Sequence, residues 1–234
     1  MSIYAISDLH LTNSSDKPMN IFGGNWENYW EKITNDWEEK VGDDDIVLIA
    51  GDISWAMSLE HAKADLDEIS KLKGIKVIIR GNHDYWWSSY AKVKAILPKD
   101  FFAIQNNAVK IGKYIFCGTR GWLTTYEQKI NDKNDDYKIY QREQIRLKMS
   151  LDSAKHMQTN NEEIIVLTHF PPFNAKFSDS PFTDIINQYG VRNVIYGHLH
   201  GDACRCELLV KKQGVNYFLT SCDQVNNKLI LIKK

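Results

Sequence analysis

Five short clusters in this 234-residue chain combine residues able to bind a cation or move a proton: Asp8-Leu9-His10, Gly51-Asp52, Gly81-Asn82-His83-Asp84, Thr168-His169 and Gly197-His198-Leu199-His200. Each follows a run rich in β-branched and aliphatic residues. Five of the seven histidines fall inside them; His61 and His156 lie on predicted helices and read as surface residues. Any one cluster has an ordinary explanation. An Asp-x-His or His-x-His is often a hydrogen-bonded loop pair, and Gly-Asp is common in turns where the carboxylate bonds nearby backbone. Together they demand more, because burying so many ionisable groups at adjacent strand ends without a cation costs too much.

The donor types narrow the ion. Imidazole, carboxylate and amide oxygen without thiolate suit manganese, iron or zinc better than an all-oxygen magnesium or calcium site. The set exceeds what one tetrahedral ion takes, whereas two ions sharing a carboxylate use all of it. Two ions ~3.5–4 Å apart clamp an in-line displacement and activate a bridging water, which makes hydrolysis of a phosphate mono- or diester by a metal-bridging hydroxide the expected reaction. A zinc peptidase or amidohydrolase is the competing two-metal class, and the His-Glu-x-x-His signature it would bring is absent. A catalytically silent binding scaffold is the alternative to an enzyme.

In order and spacing the five clusters resemble the blocks of the calcineurin-like metallophosphoesterases, D-x-H, G-D, G-N-H-[DE], H and G-H-x-H, spanning residues 8 to 200. The resemblance implies a four-layer αββα sandwich and a dinuclear metal centre. Asp8, His10, Asp52 and His200 would hold the first ion, and Asn82, His169 and His198 the second, with Asp52 bridging. His83 would sit near the leaving-group oxygen as general acid, a role its near-neutral titration permits. Asp84 reads as a supporting carboxylate.

The chain departs from the protein Ser/Thr phosphatases, which extend the second block to G-D-x-x-D-R-G. Here it continues Ile53-Ser54-Trp55-Ala56, so the acid that would orient His83 and the arginine that would grip phosphate are both missing. This points to a small-molecule phosphoester instead of a phosphoprotein. Arg120, in Gly118-Thr119-Arg120-Gly121-Trp122, is the candidate replacement for substrate binding. Arg80 has the alternative of pairing with a structural carboxylate. Trp55, Tyr85, Trp86, Trp87 and Trp122 either pack loops or form a wall on which a base or aryl group stacks. The Pro171-Pro172 pair rigidifies the turn after His169.

Something must carry these residues to one place. The runs Ile3–Ile6, Ile46–Ala50, Lys76–Arg80, Tyr114–Cys117, Ile164–Thr168, Val194–Tyr196, Tyr217–Thr220 and Leu229–Ile232 are apolar almost throughout, as expected of strands covered on both faces. Trp26–Lys40 and Leu59–Leu72 carry one-sided apolar stripes and predict helices, ended near Gly42 and Gly74. The first hundred residues therefore read β-α-β-α-β with a parallel core, and Ala108–Ile111 followed by Tyr114–Cys117 predicts a hairpin. The fold class is α/β with antiparallel additions: two mixed sheets flanked by helices, in one domain over residues 1–234. Residues 124–161 form a polar insertion, helical from about Tyr137 to Met157, with a surface helix or a cap over the site as its two readings.

Composition excludes several classes. Hydrophobic residues are 43%, charged residues 25%, and net charge is -1, which argues against extended nucleic acid as partner. No run approaches the ~20 apolar residues that cross a bilayer. An acid and a histidine within the first ten residues break any leader, so a cytoplasmic location and four reduced cysteines (Cys117, Cys204, Cys206 and Cys222) are expected. No protein partner is inferable.

Overall fold

Within each apolar run, alternate side chains turn to opposite faces, and this alternation builds the layers. The computed structural model describes residues 1–13, 19–123, 135–201, 204 and 206–234. Its first sheet contains β1 (Ile3–Ile6), β2 (Ile46–Ile49), β3 (Ile75–Ile79), β4 (Phe101–Ile104) and β11 (Ile230–Lys233) in the order β11-β1-β2-β3-β4. The second contains β5 (Ala108–Ile111), β6 (Tyr114–Thr119), β7 (Glu163–Thr168), β8 (Asn193–Tyr196), β9 (Leu209–Lys212) and β10 (Val215–Leu219) in the order β5-β6-β7-β8-β10-β9. Both are mixed. β1 to β4 run parallel with β11 antiparallel at one edge, and β6, β7, β8 and β10 run parallel between antiparallel β5 and β9.

In β2, Ile46 and Leu48 face a core shared with Phe116, Ile165, Leu167 and Ile195 of the other sheet. Val47 and Ile49 face outward, onto Ile33 and Trp37 of α1 (Tyr29–Lys40) and Ala62, Leu66 and Ile69 of α2 (Leu59–Ser70). The second sheet does the same with Leu147 and Leu151 of α4 (Asp135–Met157) and Phe182 and Ile186 of α5 (Pro181–Gln188). α3 (Tyr90–Ile96) adds Val93 to the first outer layer. At roughly 1.5–3 kcal/mol for each fully buried aliphatic side chain, this double coverage is the main drive for the parallel strands. The expected αββα sandwich is the observed one.

The differences are local. β4 and β9 were not anticipated, nor were α3 and α5. α4 lies along the second sheet, where its Ser150 hydroxyl accepts from Gly118 N at 2.8 Å and donates to Asn107 O at 2.5 Å. It is thus a layer helix over β5 and β6. Residues 124–134, the rest of the segment read as a surface loop or a cap, lie outside the described residues. The cysteine expectation needs correction: Cys204 and Cys206 are joined as a disulfide, their Cα atoms 5.7 Å apart, while Cys117 and Cys222 are buried thiols. Cys204 N also bonds Gly201 O at 2.9 Å. Among the described residues, no helix is long and apolar enough to cross a membrane.

Candidate metal centre

Parallel register sets the site. Ile6, Ile49 and Ile78 pair in line across β1, β2 and β3, so the chain leaves all three strands at one edge. β7 and β8 end at the same edge in the facing sheet. The loops that follow run side by side: Asp8 N bonds Gly51 O, His10 N bonds Asp52 O, and Gly197 N bonds His169 O. Asp8, His10, Asp52 and His198 all have positive φ, between 46° and 71°. Such conformations are uncommon for residues other than glycine and cluster at functional sites.

Two glycines permit the approach. A Cβ on Gly81 would overlap Asp52, and one on Gly197 would meet Asp8 Oδ2 at 2.5 Å and overlap the Ser7 hydroxyl. Gly81 is therefore needed for close packing of neighbouring loops of the first sheet, and Gly197 for packing between the loops of the two sheets.

Asp8, His10, Asp52 and His200 offer donor atoms that all lie within 4.8 Å of one another, the first three fully buried. Asp8 is held by the Ser7 hydroxyl at 2.6 Å and by His198 N at 3.1 Å. Beside this group, Asn82 Oδ1 lies 2.7 Å from His169 Nε2 and 2.9 Å from His198 Nδ1. Asp52 joins the two groups. Its Oδ1 accepts from His83 N at 2.7 Å, and its Oδ2 lies 3.8 Å from His10 Nε2 and 3.4 Å from His169 Nε2. The seven residues expected as ligands are brought together.

The protonation of His10 and His198 suits a cation. Both ring nitrogens of His10 and Oδ2 of Asp52 are buried with no hydrogen-bond partner among the described residues. Burial pushes His10 down to about 3, against the pull of Asp52, and burial with the neighbouring His169 does the same to His198. Both are neutral, lone pairs available. His169 donates from Nδ1 to Ala50 O at 2.9 Å, which turns Nε2 toward the centre and fixes the ring. Burial works against its protonation, yet the Asp52 carboxylate wins and raises it to about 9. Asp52 itself is held below the ordinary range, burial being outweighed by His169 and the other donors around it.

His83 is half-buried at the rim, its ring 4.5 Å from Trp55 and 6.1 Å from Tyr85. Its Nδ1 has no hydrogen-bond partner among the described residues, in keeping with the missing acid. Trp55 stacks on His10 instead, centroids 4.9 Å apart. Burial lowers the His83 pKa, with Asp52 acting in the opposite direction. Asp84 accepts from Ile53 N, Ser54 N, Gly81 N and Trp86 Nε1 at 2.7–3.1 Å and ties the second and third blocks together. Burial foremost, then the Asp52 charge, raises it to about 6.

Of the other aromatic residues, Trp86 and Trp87 are core, Tyr85 is exposed, and Trp122 lies under the Arg120 guanidinium at 4.6 Å. Sequence reasoning missed Trp26, whose ring lies 5.8 Å from His10 and 6.1 Å from His200. It also missed Asp223, which accepts from Gly201 N at 2.6 Å and holds the loop after His200. In the sequence Trp26 falls in register with a helical stripe, and Asp223 sits far from every block.

Residues 1–202 match the calcineurin-like phosphoesterase family. The chain belongs to that family. It is thus a metal-dependent phosphoesterase. A probable cyclic nucleotide phosphodiesterase from Coxiella burnetii is 25% identical over 215 residues, covering 86% of this chain and 77% of that one. Among solved structures, TT1561 of Thermus thermophilus superposes with a TM-score of 0.61 at 11% identity, covering 99% and 97% of the two chains. Phosphopantetheinyl hydrolase from Mycobacterium tuberculosis gives 0.56 at 14%, covering 99% and 95%. These last two likenesses concern the fold.

Proposed function

We propose that this phosphoesterase hydrolyses a small-molecule phosphate mono- or diester at a dinuclear centre, with Asp52 bridging the two ions. The observation that carries this is the position of Asp52 Oδ2, buried, without a hydrogen-bond partner among the described residues, and facing His10 on one side and His169 on the other. Asp8, His10 and His200 would complete one ion, and Asn82, His169 and His198 the other. Manganese is the ion proposed first; iron and zinc match the same donors. When bound, the pair supplies Lewis-acid stabilisation of the phosphoryl oxygens and an activated water.

The chain's own residues do the rest. His169 is fixed by Ala50, and Asp8 by Ser7 and His198 N, so the ligands are set before substrate arrives. Trp55 and Trp26 cover His10 and keep bulk water from that side. His83, at the rim, donates a proton from its imidazole to the departing alkoxide oxygen. Arg120 binds an anionic part of the substrate. The likeness to a probable cyclic nucleotide phosphodiesterase supports a diester, and the near-neutral net charge favours a small substrate over extended nucleic acid. We place this activity in the cytoplasm.

The test is turnover of an aryl phosphate and a bis-aryl phosphate with and without added manganese, in wild type and Asp52→Asn. Manganese-stimulated release, reduced at least 100-fold in the variant, is expected. Full activity in a chelator, or an unimpaired Asp52→Asn chain, contradicts the reading.

A further inference from the structure

Facing strand ends across the sandwich come in pairs. The ends of β1 and β8 bring Asp8 to His198 N, and those of β2 and β7 bring Asp52 to His169. The next pair, β3 with β6, ends in Arg80 and Arg120, immediately beside the metal centre. Arg80 stands two residues before Asn82, and the Arg120 carbonyl accepts from His169 N at 3.0 Å and Phe170 N at 2.9 Å. Both arginines line one cavity of about 90 Å³, with Gln105, Asn106 and, from α4, Glu143 and Arg146.

The charges in this cavity do not cancel. Three guanidinium groups face one carboxylate. Glu143 is already engaged, one oxygen accepting from Arg146 Nη1 at 2.6 Å and the other from the Thr119 hydroxyl. Arg80 forms no ion pair with a structural carboxylate among the described residues, and its buried Nε has no partner there. Arg120 rests on the Trp122 ring, and burial foremost, with the charges of Arg80 and Arg146, lowers its pKa against the pull of Glu143. Unpaired guanidinium groups with planar donor forks are the usual means of gripping a compact oxyanion.

We propose that this cavity is a second anion site, and that the substrate is a small phosphoester carrying a further phosphate or carboxylate group beside the scissile phosphate. The inference rests on the phosphoesterase reading for the scissile group. It assigns Arg120, with Arg80, to the distal anion and leaves the reacting phosphoryl group to the metal centre. The uncompensated charge then serves substrate choice, because a neutral end group leaves two half-buried cations without an anion.

Alkyl phosphates of equal length ending in hydroxyl, carboxylate or phosphate test this, with phosphate release by the manganese-loaded chain as readout. At one or more chain lengths an anionic end raises kcat/KM at least tenfold over hydroxyl, and the better of the two anionic ends names the group. Arg80→Met or Arg120→Met removes most of that advantage, while Arg142→Met, elsewhere on α4, keeps it. Equal kcat/KM for all end groups at every length, or an advantage untouched in both arginine variants, overturns the proposal. A binding arm stands apart from turnover. Sulfate titrated calorimetrically into the full-length Asp52→Asn chain binds saturably and at least tenfold more weakly once Arg80→Met is added. Absence of saturable binding, or binding indifferent to Arg80, refutes the site even if the chain hydrolyses phosphoesters; if the wild type hydrolyses none, only the functional reading falls.

Discussion

Asp52 Oδ2 lies 3.4 Å from His169 Nε2, and neither side chain is exposed to solvent. The two residues belong to opposite sheets, on loops after β2 and β7, so this contact fastens the sandwich at its functional edge. In the metal-free protein it traps a proton, because His169 is raised to about 9 chiefly by the Asp52 carboxylate.

That proton gives a pH prediction. A histidine whose folded pKa exceeds the unfolded ~6.5 stabilises fully below 6.5, and the stabilisation is lost as pH rises through the folded value. The metal-free chain is therefore expected to melt at a lower temperature at pH 9 than at pH 7. Metal binding near pH 7.5 displaces the His169 proton. Calorimetry in buffers of different ionisation enthalpy checks this, about one proton being released from wild type and fewer from His169→Asn.

His83 has the leaving group as its task, so its loss is expected to depend on that group. With p-nitrophenolate, which departs unaided, His83→Asn should cost less than tenfold in kcat; with an alkoxide, ~10²–10⁴-fold, the usual range for a positioned general acid. The lowered His83 pKa means that the protonated form is lost from below pH 6.5 upward. Alkyl ester turnover should accordingly fall with rising pH earlier than aryl ester turnover. Comparing pH-rate profiles for the two substrates decides it.

Asp84 accepts four hydrogen bonds that hold two ligand loops. Asp84→Ala leaves buried N–H groups unsatisfied, at roughly 1–3 kcal/mol each. Loss of at least 3 kcal/mol by urea unfolding is expected, with metal affinity falling in parallel as the loops separate.

Gly81→Ala places a methyl group where Asp52 stands. Because the obstruction includes the Asp52 backbone nitrogen, side-chain rotation offers no escape. A folded variant by circular dichroism that binds less than one equivalent of metal is expected; full metal occupancy would show that the loops part without cost.

The site was more legible in the sequence than the edges of the fold. Asp8, Asp52, Asn82 and His169 each follow a strand covered on both faces, and such strands announce themselves as unbroken apolar runs. β9 pairs on one side only; Leu209 is exposed and Lys211 and Lys212 follow, so it lacks that signal. β4 was hidden for a similar reason, since Phe102 is partly exposed on an edge strand. The Cys204–Cys206 bridge depends on the local approach of two Cα atoms to 5.7 Å, which C-x-C spacing does not encode. Arg80 and Arg120 were visible singly, but their convergence needs the two sheets to be stacked.

Manganese content at saturation, by elemental analysis after equilibrium dialysis of wild-type and Asp52→Asn chains, tests the bridging role of Asp52 most directly. Two ions per wild-type chain and at most one in Asp52→Asn are expected. A single ion in wild type, or two retained without the Asp52 carboxylate, would contradict it.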